Sequence, residues 1–138
     1  MKNLKQFAVA AILVTLACAG LHAQTFDVRV IIPFDFRAAD AQMPAGEYLV
    51  HGEGAWVVLR AVDGSRQTPI LTTIAAAGRY PKDAGLDFNR YGSEYFLSVI
   101  WDSSSWNGHQ LLPTAREKEL AKRGDVPVPT AVTLASSK

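Results

Sequence analysis

From position 26 the chain alternates. Phe26, Val28, Val30, Ile32, Phe34 and Phe36 occupy the even positions, and Asp27, Arg29, Asp35 and Arg37 stand among the odd ones with Ile31 and Pro33. A period of two puts successive side chains on opposite faces of a strand and would scatter them around a helix. The run therefore predicts a strand with one face turned to a core. Pro33 falls on the outward set and cannot donate to a ladder, so the strand either lies at a sheet edge there or bends into two shorter pieces.

Six further extended runs follow, at 47–51, 56–62, 69–75, 86–91, 95–101 and 109–112, each bounded by turn-forming residues. Gly92-Ser93-Glu94, between two of them, is the strongest hairpin signal. The connections are shorter than about a dozen residues, too short for helical crossovers, so neighbouring strands are expected to run antiparallel. The expected fold is all-β: an antiparallel meander of about seven strands forming a sandwich or small barrel, with one short C-terminal helix. That helix is placed at 115–123. Thr114-Ala115-Arg116-Glu117 has the capping-box form, Lys122 and Arg123 complement the negative end of the dipole, and Gly124 supplies the stop. Its apolar residues are only Ala115, Leu120 and Ala121, so it has to lean on the sheet. The proline-containing stretch 125–138 reads as a mobile or extended tail.

The residues ahead of the alternation are of another kind. Met1 to Lys5 carries two lysines, 7–17 is apolar apart from Thr15, and small residues follow, which is the three-part pattern of a secretory signal peptide. The apolar run is too short to span a bilayer comfortably, so no transmembrane span is expected in the mature form. Cleavage fits after Ala19 or after Ala23. The second is preferred, giving a leader over 1–23, a single β-rich domain over 24–124, and export to the periplasm or the exterior. Cys18 raises a lipoprotein reading, but Thr15 stands where that pattern needs an aliphatic residue.

Setting the leader aside changes the chemical inventory. The one cysteine, Cys18, and one of the three histidines, His22, leave with it, so no disulfide and no thiol nucleophile remain. The 14 basic and 13 acidic residues almost cancel, and losing Lys2 and Lys5 tips the balance slightly acidic, which gives no electrostatic footprint for nucleic acid. A hydrophobic content of 49% excludes a disordered chain.

Taken in order, Ile32-Pro33-Phe34-Asp35-Phe36, Met43-Pro44-Ala45-Gly46-Glu47-Tyr48, Asp63-Gly64, Phe88-Asn89-Arg90-Tyr91-Gly92, Tyr95-Phe96-Leu97, Ile100-Trp101 and 117–121 resemble a group of small exported proteins of soil bacteria. The resemblance covers 26–124 and implies export and a single β-rich domain. It carries no catalytic residue across. Met43 stands where that group has leucine, a change that conserves volume.

The densest polar and aromatic cluster is 102–109. A sugar ring could stack on Trp106 while Asp102, Asn107 and His109 hydrogen-bond its hydroxyls, although the same residue types also build an ordinary hairpin loop. A hydrolase reading would use Ser103, Ser104 or Ser105 as nucleophile with His109 as base and Asp102 to orient it, but no Gly-x-Ser-x-Gly elbow surrounds these serines. A paired-carboxylate hydrolase would need Asp27, Asp35, Asp87 or Glu94 to converge. With only His51 and His109 in the mature chain, no metal-ligand spacing exists, and no cofactor is implied. Gly52-Glu53-Gly54 reads as a turn rather than a phosphate cradle, and Arg123-Gly124-Asp125 as a helix stop rather than an adhesion tripeptide. The expected role is non-catalytic, in binding or envelope structure. The expected partners are a glycan or another envelope protein, and the alternative class is a hydrolase built on the 102–109 loop.

Overall fold

Alternation becomes structure first in β1 (Thr25–Ile32), which buries Phe26, Val28, Val30 and Ile32 and exposes the residues between them. The computed structural model describes residues 25–75, 84–102 and 108–133. Pro33 ends β1, and after a bend the chain resumes as β2 (Phe36–Ala38); β1 also stands at the end of the sheet order, so both features expected of that proline are present. The remaining strands are β3 (Ala41–Met43), β4 (Gly46–Glu53), β5 (Trp56–Ala61), β6 (Gln67–Ile74), β7 (Gly85–Tyr91), β8 (Glu94–Trp101), β9 (Gly108–Leu111) and β10 (Val128–Thr133). The helix α1 (Ala115–Lys122) lies between β9 and β10.

The fold is all-β with one short C-terminal helix, but it is not a simple meander. The sheet order is β1-β4-β5-β6-β9-β8, and β8 is flanked on its other side by β7, which carries β10. Two meanders, β4–β6 and β7–β9, are therefore joined through β6, whose first half pairs with β5 and whose last three residues pair with β9. The short β2–β3 hairpin sits beside the start of β8, where Arg37 faces Phe96 in parallel. That pairing departs from the antiparallel expectation. Connection length restricts only strands that follow one another in sequence, and β2 and β8 do not. The two halves share one core, from Phe26, Val30 and Ile32 on β1 through Val50 and Leu59 to Leu86, Phe88, Leu97 and Ile100. The sheet curls until Cα atoms of β1 and β10 come within 8 Å, but no ladder joins them among the described residues, so the barrel is not closed.

β10 lies beyond the point at which the pattern placed the end of the domain. It pairs with β7 from Val128↔Arg90 to Thr133↔Gly85. Pro129 is tolerated because β10 is a terminal strand, with no ladder partner on one side among the described residues. At the other end of β7, Gly92 takes a φ of +62° in the two-residue turn of the predicted hairpin. A bulge then shifts the register: Asp87 faces Val99 and Phe88 faces Leu97, leaving Ser98 as the extra residue. Leu97 and Ile100, three apart, can both enter the core as a result.

The helix is one residue shorter than expected, with Arg123 as its cap. Glu117 donates its backbone N–H to Thr114 Oγ1 at 3.2 Å, which is the first half of the capping box. The Glu117 carboxylate accepts instead from Asn89 Nδ2 at 3.2 Å and ties the helix to β7. At the far end, Gly124 N–H donates to Ala121 and Asp125 N–H to Leu120, a Schellman stop with Gly124 at a φ of +86°. Leu120 packs with Tyr91 and Phe96 in a second small cluster on the outer side of the sheet.

Candidate functional site

Of the four residues read as a ligand site, the structure describes two. Asp102 follows β8, His109 stands on β9, and Trp106 and Asn107 lie outside the described residues, as do Ser103, Ser104 and Ser105. His109 is held by its surroundings. Its ring centroid is 4.8 Å from that of Phe26, and its Nδ1 is 3.3 Å from Thr72 Oγ1. The Thr72 hydroxyl donates to the Ala55 carbonyl at 2.9 Å, so its oxygen is left to accept from Nδ1–H. In the neutral ring this contact places the proton on Nδ1. Burial pushes the His109 pKa down, and the charge of Asp102 partly pulls it back. His109 and Asp102 thus share one electrostatic neighbourhood at the end of β8 and the start of β9.

The carboxylates considered for hydrolysis have structural work elsewhere. Asp27 meets His51 Nδ1 at 2.7 Å on the outward face of β1 and β4, with both groups largely in solvent. Asp35 accepts from the Ala45 amide at 2.8 Å. Asp87 accepts from Trp101 Nε1 at 2.8 Å. Glu94 binds Arg116 of α1 at 3.2 Å. Tyr91, the partner of Glu94, is four residues along β7 from Asp87, a separation of ~13 Å at strand rise, beyond the ~5–9.5 Å of a glycosidase pair. Among the described residues no three His, Cys, Asp or Glu side chains gather as a metal site would require. Gly54 makes the β4–β5 turn and is followed by a strand, and Arg123-Gly124-Asp125 is the helix stop.

A second group of exposed side chains, away from 102–109, lies on the outward face of β4, β5 and β6. Trp56 and Leu71 are cross-strand partners there, with 56% and 51% of their surfaces exposed. In the next row Val58 faces the exposed Pro69, and Leu49 adds an exposed side chain on β4. Glu53 flanks Trp56 on the other side. These side chains make an exposed apolar patch on the outward face of the sheet, edged by a carboxylate and by the Asp27–His51 pair. The signal was present in the alternation: with Val57, Leu59 and Ala61 inward, Trp56 and Val58 must point out.

Comparison with protein-family models, curated proteins and solved structures finds no match for this chain. Among the described residues no helix is long and apolar enough to cross a membrane.

Proposed function

We propose that this protein is an exported, non-catalytic β-domain that acts by surface contact within the cell envelope, and that the outward face of β4–β6 makes the contact. The observation that carries the reading is the exposed Trp56–Leu71 pair, extended by Val58, Pro69 and Leu49. Isolated exposed apolar residues are ordinary, but neighbouring ones on adjacent strands form the kind of patch that partners cover. Tryptophan is also the residue type most enriched where binding energy concentrates. Export rests on the leader pattern of 1–23 and on the resemblance to small exported proteins of soil bacteria.

A second reading is favoured by Trp56 itself. An exposed indole with Glu53 beside it can stack on the C–H face of a sugar while the carboxylate accepts from a hydroxyl. Both readings are tested by co-sedimentation of the mature protein with purified cell-wall and membrane fractions. The wild type is expected to sediment with one of them, and the Trp56→Ala/Leu71→Ala variant to lose about tenfold or more in affinity at unchanged melting temperature. Competition by soluble wall oligosaccharides would select the glycan reading. Equal retention of the double variant would remove this face from the function, and a wild type that sediments with neither fraction would remove the envelope role.

A further inference from the structure

At the end of β8 remote from His109, the inner face of the sheet runs out into solvent through a charged residue. Leu86 and Phe88 of β7 enter the core, and Arg90 is the next residue on the same face. Its cross-strand partners are Tyr95 on β8 and Val128 on β10. Tyr95 is stacked on Phe34, with ring centroids 3.8 Å apart and planes 13° from parallel, and Phe34 meets Phe88 edge-on at 5.0 Å. Phe34 and Tyr95 are partly buried, while Val128 is 48% exposed. The row Val128–Arg90–Tyr95, backed by Phe34, is therefore a partly exposed, largely apolar strip with a guanidinium at its centre.

Arg90 is anomalous within that row. Its Nε is enclosed and has no hydrogen-bond partner, and among the described residues no carboxylate pairs with it. A buried donor left unsatisfied is costly, and a partly desolvated guanidinium without a counter-charge more so. The residue as a whole is only partly buried. Enclosing Nε orients the planar fork, and a carboxylate is the group whose two oxygens match such a fork.

We propose that Arg90 receives the carboxylate of a small monocarboxylic acid whose apolar or aromatic body lies against Val128, Tyr95 and Phe34. One guanidinium among apolar neighbours matches one negative charge. A phosphate or sulfate would bring more charge and more lone pairs than one guanidinium and the Tyr95 hydroxyl can satisfy. The site is on other strands and another face from Trp56 and Leu71, so its failure would leave the contact-face reading standing.

The test is nuclear magnetic resonance of arginine side-chain Nε–H groups in the 15N-labelled mature protein, titrated with 3-phenylpropionate, its neutral amide, and inorganic phosphate. The expected result is saturable movement of one Nε–H signal by the acid, with affinity about tenfold or more above that for the amide or for phosphate. Arg90→Lys, which keeps the charge and loses the fork, should delete that signal and weaken the acid by about fivefold or more. No saturable shift at roughly 10 mM acid, equal binding of the amide, or equal binding of phosphate would each overturn the proposal. The wild-type titration decides the matter even where the variant fails to fold.

Discussion

Phe26 lies over Gly52, its cross-strand partner, so closely that a Cβ at position 52 would fall within its ring, and it reaches on to His109. Gly52→Ala is therefore expected to destabilise by about 2 kcal/mol through overpacking, and most of that cost should vanish in a Phe26→Leu background. Urea denaturation of the single and double variants measures this; additive costs would mean that the ring is not what excludes the Cβ. His109 gives a prediction in pH. Because burial lowers its pKa from the ordinary 6.5, the unfolded chain takes up the proton first as pH falls. The stability this group contributes is complete above 6.5 and is lost as pH drops through 6.5 toward the lower folded value. The urea midpoint should fall between about pH 7.5 and 5.5 in the wild type, and by less in His109→Gln. Matching slopes would acquit the residue. The sequence marked His109 as chemically interesting, but it could not show that Thr72, 37 positions away, holds its Nδ1. Nor could it single out Arg90, whose lack of a carboxylate partner among the described residues shows only once the strands are assembled.

At the scale of elements, local chemistry was legible wherever a signal and its partner lie within a few residues. Thr114 caps α1 as its sequence promised, and Thr114→Ala should lower stability by about 1 kcal/mol, read from thermal or urea unfolding. An unchanged midpoint would mean that the contacts of Leu120 and Asn89 hold the helix without its cap. The turn at Gly92 and the break at Pro33 follow the same logic, because torsion limits and a missing donor are properties of single residues. The sequence predicts a mobile or extended tail over 125–138, and 128–133 is extended and joins β7 as a strand; Pro127 and Pro129 argue against a central strand and are silent about an edge. The bulge at Ser98 was invisible, since an inserted residue shows only against the partner strand.

Across the whole molecule, β6 passes from one meander to the other and the inner faces of both fill one core, so the domain should unfold as a unit. Far-ultraviolet circular dichroism and the near-ultraviolet signal of buried Trp101 are expected to give coincident urea transitions. Separate midpoints would show that the two meanders come apart independently. What the sequence by itself determined is the class of the fold, which residues of β1 face the core, where several of the turns fall, and where the helix starts and, to within a residue, stops. Each of these depends on side-chain periodicity or on the torsions of one or two neighbouring residues. Only the tertiary structure decided that β1 joins β4, that β2 lies parallel to β8, that β10 completes the β7 edge and that the barrel stays open. It also decided which polar groups meet: His109 with Thr72, Glu94 with Arg116, and Arg90 with no carboxylate among the described residues. Such pairings join residues far apart in the chain, and their geometry is set by how two packed faces fit rather than by any local preference.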